Sequence, residues 1–474
     1  MKKLLLFLIL IYQSTLLSQT VLTSFPIDLN KSKEYNQILN IENERTHDVF
    51  VFIKNKEKLT ILKYNRALFL NSQYTFPLKN LDYKMVKGCS FSEDGNPTLY
   101  LSSSDLKNST PFNHIITIKY YLENKTYTIS NFKFPLTEFI ITTFQMNNSF
   151  HILAQNRIMK ALIVYTFQDG KALTKVFNFS SFIFQDKNNQ SLTFNMLTKA
   201  YPIEKIELDD YNPMDKNAHK SKVYIQNNHI VLTLDYNPKN TQAFDIDLEN
   251  LELSEKNFPQ SILQDSNKRS NSFYNEEKLY QVNASESELL LDIKDFNSGQ
   301  TLKNISVLKK DDKSFKNAPL FIQKDYRKPK EVKKPKRFLQ HLYTLNISLS
   351  VFNTKQNTFI TFGGSPKMED KEKPFQSHQF YVDNLNQDDI FSDFDFPLIV
   401  HFKSVYFESI LNRNFEFVDQ GEQPPAFDKL YYFLSKNKKA TFTKVLKLRD
   451  YYILGYYDVK TKQYIMRKFT DGFD

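Results

Sequence analysis

Residues 138–179 read EFIITTFQMNNSFHILAQNRIMKALIVYTFQDGKALTKVFNF. Phe139 to Thr143, Phe150 to Ala154 and Ala161 to Phe167 are strand-length runs of β-branched, aromatic and aliphatic residues. Tyr165-Thr166-Phe167-Gln168-Asp169-Gly170 ends one run in the acidic, Gly-containing sequence that joins two antiparallel strands by a tight turn. The stretch predicts four strands in succession.

The same grammar extends along the chain. His47 to Ile53, Thr98 to Leu101, His114 to Leu122, Val223 to Gln226, Ile230 to Tyr236 and Tyr451 to Val459 also read as strands. In Ile115-Ile116-Thr117-Ile118-Lys119-Tyr120 the alternation puts Ile116, Ile118 and Tyr120 on one face. Turn sequences recur between runs, at 120–127, 244–250, 291–299 and 457–462. No long stretch beyond the N-terminal segment combines helical spacing with a cap, so the chain is predicted to be mostly β.

Five of the 17 prolines follow Phe, at Phe25-Pro26, Phe76-Pro77, Phe134-Pro135, Phe258-Pro259 and Phe396-Pro397, where composition alone gives between one and two. Proline has no amide hydrogen for a ladder, so Phe-Pro marks strand ends. The first two intervals are 51 and 58 residues, and the later ones, 124 and 138, have room for two or more units each.

With these units the chain resembles a degenerate β-propeller of six or seven blades, with repeats over residues 40–308 and 440–474. It carries neither a Trp-Asp signature, having no Trp, nor paired glycines beyond Gly363-Gly364. Paired β-sandwich domains are the alternative architecture. The expectation is a signal peptide over 1–18 and one propeller-like domain over 19–474, with irregular insertions near 188–220, 309–337 and 365–395.

Lys2 and Lys3, the apolar run Leu4 to Tyr12 and the small residues Ser14, Thr15 and Ser18 make the layout of a cleavable export signal, with cleavage near Ser18-Gln19. That run is shorter than the roughly 20 apolar residues of a membrane helix. Losing Lys2 and Lys3 takes the formal charge from +10 to +8. Lys309 to Arg337 alone carries twelve Lys or Arg against Asp311, Asp312, Asp325 and Glu331, a net +8, so the rest of the mature chain is near neutral. The segment reads as a solvated linker, exposed and extended by self-repulsion, that is dispensable for folding. Its functional reading is a dock for an anionic surface, with Phe321, Tyr326 and Phe338 interleaved as stacking aromatics.

Nothing in the sequence builds a nucleophile elbow, a phosphate loop or a dinucleotide fingerprint. His47, His114, His151, His219, His229, His341, His378 and His401 are scattered and read as strand or surface residues. Cys89, the single cysteine, reads as an inert thiol rather than a nucleophile. Two acidic clusters, Glu207, Asp209, Asp210, Asn212 and Asp215, then Asp383, Asp388, Asp389, Asp393 and Asp395, have ligands suited to a hard cation but lack calcium-loop spacing. Both read as solvated loops, and no cofactor or metal is expected.

The sequence therefore predicts an exported, non-enzymatic binding or scaffold protein of the bacterial envelope, periplasmic, cell-surface or extracellular. Its expected partner is an envelope protein, an extracellular polymer or an anionic surface. The rival expectation is a secreted polysaccharide- or peptide-active hydrolase with carboxylates in a central propeller pocket.

Overall fold

The structure, a computed structural model, describes residues 19–29, 35–78, 84–103, 114–210, 212–261, 263, 269–308, 319–324, 328–366, 403–418 and 425–471. The expected signal peptide, the second acidic cluster, His378 and His401 lie outside the described residues.

Strand β1 (Gln19–Pro26) comes first. Blade 1 is β2 (Gln37–Glu42), β3 (Val49–Lys54), β4 (Lys58–Tyr64) and β5 (Leu70–Pro77). Blade 2 is β6 (Lys84–Phe91), β7 (Pro97–Ser103), β8 (His114–Tyr121) and β9 (Thr126–Lys133). Blade 3 is β10 (Glu138–Met146), β11 (Ser149–Asn156), β12 (Ala161–Gln168) and β13 (Lys171–Asn178), the four strands expected over 138–179. A connection follows, with the paired strands β14 (Phe184–Gln185) and β15 (Ser191–Leu192), then α1 (Phe194–Ala200). Blade 4 is β16 (Ile203–Lys205), then after α2 (Met214–Asn217) come β17 (Ser221–Gln226), β18 (His229–Leu234), β19 (Asn240–Asp247) and β20 (Glu252–Pro259). Blade 5 is β21 (Arg269–Asn275), β22 (Lys278–Ala284), β23 (Glu288–Asp295) and β24 (Thr301–Leu308). Blade 6 begins with β25 (Phe321–Lys324) and β26 (Lys330–Glu331), passes through α3 (Pro335–Tyr343), and continues with β27 (Asn346–Asn353), β28 (Asn357–Ser365) and β29 (Lys403–Asn412). After α4 (Ala426–Lys436), blade 7 is β30 (Ala440–Leu448), β31 (Tyr451–Asp458) and β32 (Gln463–Thr470), with β1 as its fourth strand. Seven sheets of four or five strands are the blades of a β-propeller, the fold class expected from the sequence. No helix among the described residues is long and apolar enough to cross a membrane.

The chain divides into two compact units, Met1–Asn178 with Gln423–Asp474, and Phe179–Glu422. The first holds blades 7, 1, 2 and 3, and the second holds blades 4, 5 and 6.

Within the first unit, sheets bury both faces. Ile116, Ile118 and Tyr120 of β8 pack with Phe50, Phe52, Leu59 and Ile61 of blade 1. Their neighbour Ile115 points the other way and packs with Phe150, Ile152 and Ala154 of blade 3. Tyr100 and Phe150 stack with ring centroids 4.9 Å apart. Gly88 permits this approach, because a Cβ there would lie 2.2 Å from the Phe150 ring.

Phe-Pro marks what its chemistry suggests. It ends β1, β5 and β20, each a terminal strand of its sheet, and directly follows β9, the fourth strand of blade 2. Phe76 and Phe258 are buried on their neighbours while the proline closes the ladder. The hairpin turns are as legible: the Oδ1 atoms of Asp247, Asp295 and Asp458 each accept two backbone N–H bonds. The backbone N–H groups of Asn250 and Ser298 head the interactions that hold Asp247 and Asp295 below the usual carboxylate range.

The second unit contains a buried ion pair. Lys222 Nζ lies 3.0 Å from Asp235 Oδ2, and both side chains are fully enclosed. Lys222 also donates to the His219 carbonyl at 2.8 Å and to Asn271 Oδ1 at 2.5 Å. Asp235 accepts from Thr241 Oγ1 at 2.7 Å and from Ser272 N and Oγ at 2.9 and 2.8 Å. Burial pushes the Asp235 carboxyl up, but Lys222, Lys220 and the two hydroxyl residues outweigh it and hold it below its ordinary value.

The basic segment departs from its expectation. Residues 309–318 and 325–327 lie outside the described residues, but the rest belongs to blade 6. Leu320, Val332 and Phe338 are core residues, 0, 5 and 1 % exposed, and β25 is hydrogen-bonded to β29. Apolar side chains at these positions turn inward and the cations between them stay in water, which a solvated linker does not require. The described part of the segment supplies β25 and β26 of the sheet and the start of α3. The insertion expected near 188–220 is likewise structured in part, carrying β15, α1, β16 and α2.

Replacing Lys222 by Met leaves Asp235 buried without its cation and is expected to lower unfolding free energy by about 3–5 kcal/mol. The double replacement Lys222→Met with Asp235→Leu is expected to cost less than the sum of the singles in chemical denaturation. Strict additivity would mean that the two charges are not coupled.

Candidate anion-binding site

Blade 6 takes its two outer strands, β25 and β26, from upstream. The order β26-β25-β29-β28-β27 places β25 beside β29, although β25 precedes β27 and β28 in the chain. Antiparallel pairing sets Lys324 directly opposite Lys403. Like charges in that relation destabilise a sheet.

Helix α3 packs on β27 and β29 of this sheet. Pro335 sits in its first turn, and Phe338, Leu339 and Leu342 form the buried stripe. Phe338 packs edge-on against Phe407 of β29 at 5.4 Å. Leu342 and Leu345 approach Gly364 of β28 so closely that a Cβ there would lie 2.8 Å from the Leu345 Cβ, which gives the lone Gly-Gly pair a packing role. The first turn carries no acid and has Lys336 and Arg337 in it, with Lys334 as an N-cap that makes no side-chain bond. Cations there oppose the helix dipole, at about 0.3–1 kcal/mol each.

Four cationic or ionisable groups converge. Lys403 Nζ lies 2.7 Å from His341 Nδ1. The ammonium donates, so the neutral imidazole carries its own hydrogen on Nε2. Arg337 is one helical turn before His341, on the same side of α3. Burial first, then Lys403, Arg337 and Lys324, pull His341 below the ordinary histidine range. Burial and then Lys324 do the same to Lys403. Lys324 and Arg337 are exposed, and His341 and Lys403 are half-buried. Among the described residues no carboxylate pairs with any of the four. Lys328, Lys330, Lys333, Lys334 and Lys336 are exposed as well, with Glu331 the single acid between 328 and 337.

Other candidates fall elsewhere. Phe338 is enclosed in the core and Phe321 lies 5.5 Å from Tyr406, so neither is a free stacking platform; Tyr326 is outside the described residues. Cys89 is buried in the first unit's core, where burial holds its thiol well above the ordinary value. His151 stacks on Phe144 at 4.7 Å and contacts the Met146 carbonyl at 3.2 Å and Thr166 Oγ1 at 3.1 Å, and burial lowers its pKa to about 4. His47 and His229 pair with Glu42 and Asp245. In the first acidic cluster, Asn212 ties the loop together by accepting from Glu207 N at 2.9 Å and donating to the Asp210 carbonyl at 3.1 Å, while Glu207 pairs with Lys205. Among the described residues, no three of His, Cys, Asp and Glu gather as metal ligands.

Sequence reasoning found the basic segment but missed His341 and Lys403. The spacing Arg337-x-x-x-His341 was an available signal for a shared helix face. Lys403 had none, because its pairing with Lys324 spans 79 positions.

Reversing one cation should relieve the cross-strand repulsion. Lys324→Glu is expected to stabilise the protein by about 0.2–1 kcal/mol. Denaturant midpoints at low and high salt check this, with the gain shrinking as salt screens it. A loss of stability would show that the corner is not electrostatically strained.

No family model matches the chain, and no curated protein matches it. Solved structures similar to it include the Dos1 propeller, with TM-score 0.34, 8% identity, 97% of this chain and 88% of that one covered. Others are the WD40 domain of SCAP from fission yeast, with TM-score 0.29, 9% identity and coverage of 95% and 97%, and Kluyveromyces lactis Hsv2, with TM-score 0.30, 9% identity and coverage of 89% and 90%.

Proposed function

We propose that this chain is an exported binding or scaffold protein of the bacterial envelope, and that it docks on an anionic polymer or surface through the cationic corner of blade 6. The observation that carries this reading is the Lys403–His341 contact, flanked by Lys324 and Arg337 and lacking a carboxylate partner among the described residues. A fold that leaves cations unpaired against one another at one place, while matching the buried Lys222 with Asp235 elsewhere, reserves that place for a ligand. Export rests on the N-terminal layout of Lys2, Lys3 and the apolar run Leu4 to Tyr12.

The hydrolase reading has less support. Asp235 and Asp292 are buried in the second unit, but both are held by donors. Asp292 accepts from the Ser261 hydroxyl and from Asn304 Nδ2 at 2.5 Å, and Asp235 is bound as described above. Carboxylates so committed are poorly placed to move a proton to a substrate.

The mature protein should be retained on an anionic matrix and elute with salt, as a release of counterions predicts. Neutralising the corner by Lys324→Gln, Arg337→Gln and Lys403→Gln together should move elution to clearly lower salt with the far-ultraviolet spectrum unchanged. Unaltered elution of the folded variant would remove the corner from the binding surface. Intact-mass measurement on exported material should find a chain starting near Gln19, and a chain retaining Leu4 would exclude cleavage at that site.

A further inference from the structure

The corner of blade 6 has a feature that a merely basic surface lacks: an acceptor among its donors. Neutral His341 presents its Nδ1 lone pair to the Lys403 ammonium 2.7 Å away. In the free protein the imidazole stays neutral, because a second full charge there would face Lys403 from β29, Lys324 from β25 and Arg337 from its own helix. Among the described residues, the other elements packed against α3 supply no compensating acid at this point. Strand β27 has no charged residue, Lys278 opens β22, and Glu408 of β29 is an odd number of residues from Lys403 and so lies on the opposite face.

An anion changes this balance. Resting on the corner, it offsets the field of the three cations and makes a charged imidazole favourable. His341 then takes a proton from solvent at Nδ1, the nitrogen that had accepted from Lys403. Lys403 is released to point one of its hydrogens at the ligand, and Nδ1–H becomes a further donor. One proton is gained and no covalent bond to the ligand forms or breaks. Donors arriving from β25, β29 and two positions of α3 suit a group with three or four oxygens spread in space. A planar carboxylate offers only two oxygens in one plane.

We infer that this corner binds a tetrahedral oxyanion, a phosphate or sulfate group of a polymer, and that binding is coupled to protonation of His341. This rests on the anion-docking reading above and names its ligand chemistry. Linkage sets the sign: a protein that gains a proton on binding holds its ligand more tightly as pH falls.

Calorimetry of the mature protein with inorganic polyphosphate, heparin and poly-glutamate, in buffers of differing ionisation heat, tests the inference. Uptake of about half to one proton per site is expected near pH 7 with polyphosphate or heparin, and affinity should drop about fivefold or more from pH 6 to pH 8. His341→Gln should still bind, more weakly and without that pH dependence, and Lys403→Met should bind more weakly again. Preference for polyphosphate or for heparin assigns the phosphate or the sulfate source, and either supports the site. Poly-glutamate binding as tightly as both would overturn the tetrahedral specificity. Binding of polyphosphate or heparin with no proton uptake, or a pH dependence that survives in His341→Gln, would overturn the coupling and leave anion docking standing. Binding of none of the three at any pH would remove the docking function itself.

Discussion

A sheet whose middle strands are apolar on both faces has to be covered on both faces, and the structure follows from that constraint. In β11 all eight residues from Ser149 to Asn156 are buried. In β8, Ile116, Ile118 and Tyr120 serve one neighbouring blade while Ile115 serves the next. Each fully buried aliphatic or aromatic side chain contributes roughly 1.5–3 kcal/mol relative to exposure, so a blade left bare on one side forfeits a large share of its stabilisation. Stacking blade on blade meets the requirement with one repeated unit. It also sends the polar residues to the turns, where Asp247, Asp295 and Asp458 hold backbone N–H groups that the strands leave open.

Two places where cations are withdrawn from solvent are treated in opposite ways. Lys222 is fully enclosed and has a carboxylate and two carbonyl-type acceptors, and its carboxylate is in turn held by two hydroxyls and an amide. Satisfaction of this kind is what burial of charge demands. At the edge of blade 6, by contrast, Lys403 points at an imidazole and faces Lys324 across the strand. Partial exposure makes that arrangement tolerable, and the absence of stabilisation there is informative because the same chain satisfies its cation where folding depends on it.

Blade 6 also explains why the basic segment reads as a linker. In blades 1 to 5 and in 138–179 above all, strands follow one another in spatial order, and a reader of the sequence meets apolar run, turn, apolar run. In blade 6 the outer strands β25 and β26 come first, are four and two residues long, and the run Phe321-Ile322-Gln323-Lys324 and the edge pair Lys330-Glu331 sit among lysines. Short edge strands bearing Lys are a common way to block unwanted pairing, and the same chemistry makes them resemble solvated loops. The core anchors Leu320, Val332 and Phe338 were visible in the sequence only as isolated apolar residues in a charged stretch.

Local chemistry therefore determined a good deal of this protein by itself. Alternation, β-branched and aromatic runs, Asp and Asn turns and Phe-Pro strand ends specify all-β structure and a blade-sized unit, because each depends on residues within a few positions of one another. The charge of the 309–337 segment is likewise a property of composition. Tertiary structure alone decided that β1 completes blade 7, that β25 completes blade 6, and that Lys222 meets Asp235 in the interior. It alone set Lys324, Arg337, His341 and Lys403 around one point. Those contacts join residues up to hundreds of positions apart, and their energies depend on dielectric, burial and register, which a chain acquires only when its sheets pack.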